Sequence, residues 1–160
     1  MEKKIHFHLI TTLRQGGAQR FLSRLISDEN NMKHIVICMD NQKFYLNDLS
    51  SNGIRVYFLN LKIYNFIIGI FKFISLLIYF RPKIVSTWLY HADFFGGILA
   101  KIFTNSTIIW SIRGSAFIEH GVKKRTSSII KMNALLSNYI PDAIISCSKN
   151  ASKEHVLRGY

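Results

Sequence analysis

The chain has 160 residues, of which 49% are hydrophobic, 13% aromatic and 19% charged. That mixture is too apolar for a disordered chain, and the length is too short for two full domains each with its own core. Twenty-one Lys and Arg oppose nine Asp and Glu, a net charge of +12, and the basic residues are spread along the chain, which excludes a basic tail on a neutral body. Such a balance suits an anionic partner: nucleic acid, an acidic membrane surface or a phosphate-bearing substrate. Cys38 and Cys147 form no Cys-x-x-Cys pair and each ends an apolar run, which predicts reduced, buried thiols in a cytosolic protein. Met1-Glu2-Lys3-Lys4 leads into a segment with His6 and His8 and has no apolar h-region, so no secretory signal is expected.

Six short runs rich in Ile, Val and Phe predict strands at 4–10, 34–39, 54–59, 84–88, 107–112 and 143–147. Pro82 and Pro141 precede the fourth and sixth as punctuation. After the first strand, Ala18, Phe21, Leu22, Leu25 and Ile26 follow i, i+3, i+4, i+7, i+8, the spacing of an amphipathic helix. Weaker helical signals cover 43–51, 93–103, 125–139 and 149–158, the last with Ser148 as N-cap and Gly159 just beyond its end. Strand and helix alternate throughout, and the strands are apolar almost without interruption. This is the pattern of an α/β, Rossmann-like parallel sheet covered by helices on both faces, in which ligands bind at the C-terminal strand edge.

Residues 63–80 carry one charge, Lys72, over eighteen positions, which is borderline for a membrane span. Asn65, Gly69, Lys72, Ser75 and Tyr79 recur every three or four residues as a narrow polar stripe. Three readings stay open: a span, an ordinary packed helix, or a helix whose apolar face dips into a bilayer interface, with Lys62 and Arg81 reaching lipid phosphates.

The stretch Thr11-Thr12-Leu13-Arg14-Gln15-Gly16-Gly17-Ala18-Gln19-Arg20 places a glycine pair between the first strand and the first helix. Glycines there let backbone N–H groups approach an anion, and the helix N-terminus adds about half a positive charge. A phosphate role and a simple tight turn explain the pair equally well, since neither Gly-x-Gly-x-x-Gly nor a P-loop is present. His6 and His8 share one face of the first strand by period 2 and read as core histidines bonded to neighbours. No spacing of His, Cys, Asp or Glu marks a metal set, and no metal is expected. His91, beside the aromatics Trp88 and Tyr90, reads by itself as structural. Lys123-Lys124-Arg125 reads as a solvated loop before a helix, or as a contact to lipid phosphate. Asp142 and Glu119 have no partner carboxylate at a recognisable spacing, which leaves a paired-acid hydrolase unsupported.

Four stretches together resemble the N-terminal, acceptor-binding half of GT-B glycosyltransferases, specifically the family 4 retaining enzymes of bacterial surface polysaccharide synthesis. Gly16-Gly17-Ala18-Gln19-Arg20 is similar to that family's Gly-Gly-Ala-Glu/Gln-Arg loop. Ser86-Thr87-Trp88-Leu89-Tyr90-His91-Ala92-Asp93 resembles its fourth-strand exit, and Ile109-Trp110-Ser111-Ile112-Arg113-Gly114-Ser115 its fifth. Pro141-Asp142-Ala143-Ile144-Ile145-Ser146-Cys147-Ser148, with Gly159-Tyr160 after it, resembles the last strand and helix of that half. The resemblance covers essentially the whole chain. It implies that Gly16 and Gly17 approach a donor diphosphate, that Arg20 supports their loop, and that His91 lies near the acceptor or the transferred sugar. Many members have His where this chain has Arg113, and a guanidinium there would clamp a phosphate or sugar hydroxyls.

The resemblance also implies a nucleotide-diphosphate sugar as co-substrate with no further cofactor, a lipid-linked or glycan acceptor, and a place on the cytoplasmic face of an anionic membrane. The second, donor-binding domain with its Glu-x7-Glu motif is absent from these 160 residues, so one Rossmann-like domain, a half enzyme or fragment, is expected, inactive by itself. A non-catalytic basic membrane-surface or nucleic-acid-binding module is the rival reading. Against nucleic acid, the aromatic residues sit inside apolar runs and are not interleaved with basic ones.

Overall fold

The computed structural model describes residues 3–29, 31–61, 63–114 and 124–160. Lys62, Glu119 and Lys123, singled out in the sequence, lie outside them. The elements in chain order are β1 (Ile5–Ile10), α1 (Gly17–Asp28), β2 (Lys33–Cys38), α2 (Leu46–Ser51), β3 (Arg55–Phe58), α3 (Phe66–Phe80) after a 3-10 turn, β4 (Ile84–Trp88), α4 (Tyr90–Phe103), β5 (Thr107–Ile112), α5 (Lys124–Leu136), β6 (Ala143–Ser146) and α6 (Lys149–Val156). All six expected strands form, and each pairs in parallel with its neighbours in the order β3-β2-β1-β4-β5-β6. The order reverses between β1 and β4, which is where a doubly wound sheet opens a crevice.

Two cores flank the sheet. Phe7 and Leu9 of β1, with Ile35 and Ile37 of β2, meet Phe73 and Leu77 of α3 and Ala92 and Ala100 of α4 on one face. Ile10, Val36, Cys38 and Trp88 meet Leu22 and Ile26 of α1 and Leu49 of α2 on the other. The period-2 alternation that puts Phe7 and Leu9 on one face puts His6 and His8 on the opposite one. Both behave as expected of bonded interior histidines: His6 Nε2 lies 2.8 Å from Ser86 Oγ and His8 Nε2 lies 3.0 Å from His34 Nδ1.

Boundaries shift where side-chain chemistry acts at an end. The last helix begins as expected, with Ser148 Oγ accepting from the Ala151 N–H at 3.1 Å, and Gly159 takes φ 93° beyond it. Helix α3 stops at Arg81, whose φ is 44°, because Pro82 supplies no N–H to continue it. Cys38 is buried, but Cys147 is exposed, a correction to the expectation for that thiol. It follows β6, an edge strand whose own Ile145 is 48% exposed, so an apolar run there does not imply burial.

Of the polar stripe read along 63–80, Lys72, Ser75 and Tyr79 are exposed, but Gly69 is not. Gly69 is buried, and a Cβ there would collide with Leu61 and with the Leu59 carbonyl. The glycine is a point of close packing and not a polar position. Lys72 turns back to donate to the Phe58 carbonyl at 2.7 Å. Among the described residues no helix is long and apolar enough to cross a membrane. The 15 residues of α3 span about 22 Å at 1.5 Å each, against a hydrocarbon core of about 30 Å.

Helix α4 lies close on the sheet because Gly96 and Gly97 omit side chains there. A Cβ on Gly96 would strike the Leu9 side chain, and one on Gly97 would fall 2.6 Å from Trp110 Nε1. At an exposed helical position Gly→Ala gains about 1 kcal/mol. Here the rigid, buried indole reverses the sign: overpacking costs about 1–3 kcal/mol, so Gly97→Ala is expected to lower the denaturation midpoint in urea.

Candidate functional site

The parallel sheet brings the chain's turns after β1, β4, β5 and β6 to one edge. A cavity of about 440 Å³ opens there, lined by residues that include Gly16, Gly17, Phe21, Leu89, Arg113 and Cys147. Two of the regions that the sequence picked out independently, the glycine pair and Arg113, therefore share one wall, although they are almost a hundred positions apart.

The glycine side of the cavity is the start of α1. Its N-cap is Gly16, no side chain caps it, and no acidic residue occupies its first turn. The first N–H groups of a helix have no partner within the helix, so this end presents donors and the positive end of the helix dipole to the cavity. The two glycines differ in what a side chain would meet. A Cβ on Gly16 would press on the Gln19 amide, whereas one on Gly17 meets no atom within 4 Å. Gln19 is buried and its Nε2 donates to the Thr12 carbonyl at 3.1 Å, which ties the loop to the helix. The resemblance implies this supporting role for Arg20; in the structure its backbone N–H donates to the Gly16 carbonyl at 3.1 Å while its side chain is exposed and outside the cavity lining.

Arg113 follows β5 directly. Its guanidinium carbon lies 4.1 Å from the Phe21 ring centroid and 4.5 Å from that of Trp88, so two aromatic faces hold the cation. Trp88 is buried at the end of β4. Among the described residues the buried Arg113 Nε has no hydrogen-bond partner and the guanidinium no ion-pair partner. Partial burial lowers the pKa of Arg113 from its ordinary value, but a guanidinium stays protonated. The result is a fixed, unneutralised cation facing an uncapped helix start, an arrangement that can receive an anion.

His91 stands on the first turn of α4 at the same edge but does not line this cavity. It is half-buried, and burial lowers its pKa. The route to it passes Leu89, which has φ 75° and ψ 149°. That conformation is one that residues with a Cβ rarely adopt, at a cost of about 1–3 kcal/mol, and nothing in the sequence signals it. Also unsignalled is Asp93, fully buried under the same turn, with Thr87 Oγ1 donating to its Oδ1 at 2.6 Å. Tyr90 Oη contacts His155 Nε2 at 3.0 Å, and Asn133 donates to the Tyr90 carbonyl at 2.9 Å. The first turn of α4 is thus held from α5 and α6 as well as from β4.

No family model and no curated protein matches the chain. Solved structures match it over nearly its full length. HepE of Anabaena, in complex with UDP, aligns over 98% of this chain and 41% of its own, with a TM-score of 0.78 at 16% identity. WaaB, a lipopolysaccharide outer core galactosyltransferase, aligns over 98% of this chain and 43% of its own, with a TM-score of 0.63 at 17% identity. The UDP-GlcNAc 2-epimerase of Methanocaldococcus jannaschii aligns over 96% and 42%, with a TM-score of 0.62 at 10% identity. The fold is that of a Rossmann-like half of the GT-B architecture. The chain spans less than half the length of each of these proteins.

Burial pushes the Asp93 carboxyl up to about 8. In the unfolded chain it ionises near the ordinary value of 3.8, so between these limits the folded state holds a proton that the unfolded state has released. Its contribution to stability is complete below pH 3.8 and falls as pH rises towards 8. Asp93→Asn, which cannot ionise, is expected to remove that fall, measured as the pH dependence of the urea unfolding free energy.

Proposed function

We propose that this chain is the acceptor-side half of a glycosyltransferase that moves a sugar from a nucleotide-diphosphate sugar to a lipid-linked or glycan acceptor, with retention of configuration. One observation carries the reading: the Arg113 guanidinium, bedded on Phe21 and Trp88 with its Nε unpartnered among the described residues, faces the uncapped start of α1 across a cavity at the strand edge. The solved neighbours add support, since HepE is known with UDP and with UDP and glucose.

In this reading the diphosphate leaves as negative charge grows on its bridging oxygen. The α1 N–H groups and Arg113 are already aimed at that charge, so little reorganisation accompanies the step. His91, largely neutral because burial disfavours its charged form, hydrogen-bonds the acceptor or the transferred sugar. Donor recognition is shared with a second, donor-binding half, as the family resemblance implies, so this half holds the nucleotide weakly.

The membrane partner is part of the proposal. On α3, Ile67, Ile68, Phe71 and Ile78 are all more than half exposed. Arg81 at the helix end, with Lys83 and Lys101, lines a cavity beside Ile78 and Ile102. An apolar face next to basic side chains suits the surface of an anionic bilayer, and an acceptor built on lipid would be met there.

Two measurements test these readings. UDP added to the isotope-labelled chain is expected to move the amide resonances of Gly16, Gly17 and Ala18. Arg113→Ala removes a charge-assisted bond of about 1.5–3 kcal/mol and should weaken binding by roughly 10-fold to 150-fold. Gly17→Val, which fills open space, should block binding without unfolding the chain; unchanged UDP binding in both variants would refute the assignment. For the membrane, co-sedimentation with phosphatidylglycerol-containing vesicles should rise with anionic content, fall with salt and be lost in an Ile68→Asp, Phe71→Asp double variant. Equal binding to neutral vesicles would reject electrostatic docking.

A further inference from the structure

The layer beneath α1 contains a grouping that sugar transfer leaves unused. His6 and His8 project from one face of β1, and His34 stands opposite His6 on β2. One ring nitrogen from each lies within 4.8 Å of the other two, a proximity that the spacing of 6, 8 and 34 along the chain conceals. Ring centroids are 4.0 Å apart for His6 and His8 and 5.2 Å apart for His8 and His34.

Hydrogen-bond directions establish which nitrogens are open. A carboxylate only accepts, so the His34 Nε2 that meets Glu29 Oε2 at 2.6 Å carries the proton. His34 Nδ1 then turns a lone pair inward, towards His8 Nε2. On the far side of His8, the Trp88 indole N–H points at Nδ1 from 3.4 Å. A carboxylate gripping the outer N–H of an imidazole, with the inner nitrogen facing other imidazoles, is the arrangement that orients metal-ligating histidines. Burial, with the neighbouring histidines, also keeps His6 and His8 well below the ordinary histidine range, so at neutral pH they face one another uncharged.

We propose that His6, His8 and His34 form a binding site for a zinc-class divalent cation, with Glu29 holding His34 from outside. Zinc–nitrogen bonds of about 2.0–2.1 Å in tetrahedral geometry place ligand nitrogens about 3.3 Å apart. The His8–His34 pair at 3.0 Å is close to that spacing, and ring rotation brings in His6. The proton on His8 Nε2 moves to Nδ1 when Nε2 binds the ion, which leaves the Trp88 N–H without its acceptor. Glu29 and His34 also line a cavity of about 1160 Å³, which reaches the outer side of the cluster. Lys3, Lys4, Lys33, Arg55, Arg81 and Lys83 line the same cavity and repel cations in general. Selection therefore rests on imidazole affinity, which favours zinc over magnesium or calcium.

The experiment is titration of the full chain, carrying no affinity tag, with Zn²⁺ or Mg²⁺ at neutral pH against a chromophoric chelator. One equivalent of zinc and no magnesium is expected, together with movement of the Trp88 indole N–H resonance, assigned by its loss in Trp88→Phe. His34→Gln should abolish uptake, and Glu29→Gln, at a partly exposed position, should weaken it by about 10-fold to 100-fold. No zinc uptake by the wild-type chain overturns the proposal and leaves a hydrogen-bonded histidine cluster. Zinc uptake with an unmoved Trp88 resonance, or with unchanged affinity in Glu29→Gln, overturns it equally, and both readouts stand even where His34→Gln fails to fold.

Discussion

β1 and β4 lie side by side and point the same way, and the rest of the molecule follows from that. The chain leaves β1 to cover one face of the sheet through α1, and leaves β4 to cover the other through α4. Two connections that part in opposite directions cannot fill the space between them, so the edge above these strands stays open. The parallel arrangement then delivers the exits of β5 and β6 to the same place. Gly16, Leu89, Arg113 and Cys147 meet because of strand direction, and no local sequence signal brings them together.

Trp88 connects that edge to the interior. One face of its indole carries the Arg113 guanidinium, Phe21 packs beside it at 6.2 Å between centroids, and its N–H reaches inward to His8. Burying an indole N–H without an acceptor costs free energy, and His8 accepts from Trp88 only in the tautomer that donates onward to His34. The chain of polarity therefore runs Trp88, His8, His34, Glu29, from the covered base of the site to the surface beneath α1. Trp110, by contrast, leaves its Nε1 unpartnered among the described residues, so its place in the core rests on packing alone, against Gly97 and Ile140.

The strands were legible because a sheet covered on both faces writes itself as apolar runs, and all six survive with no end moved by more than one residue. The meeting of the glycine pair and Arg113 at the carboxyl edge was legible from the parallel topology. What stayed hidden depends on tertiary proximity. Cys147 sits in an apolar run, but on an edge strand such a run has only partial cover. Gly69 reads as polar by composition, yet it marks the closest approach of α3 to the preceding loop. α4 starts three residues before its apolar periodicity does, at Tyr90, because Leu89 accepts the strained backbone from which the helix departs. Arg20 and Gln19 differ by one position on α1, and a helical step of 100° sends one outward and the other under the loop. His34 joins His6 only through a strand register that spacing along the chain does not encode.

The aromatic bed under Arg113 fixes where the cation stands before anything else meets it. A guanidinium already resting on two π-faces has surrendered much of its hydration and most of its side-chain freedom before any anion arrives. Any anion entering the cavity would meet a cation whose position is already settled on Phe21 and Trp88. Held between two rings, the long side chain has little disorder left to lose. A lysine at the same position, without a planar head to stack, would have no comparable resting place and would keep its flexibility.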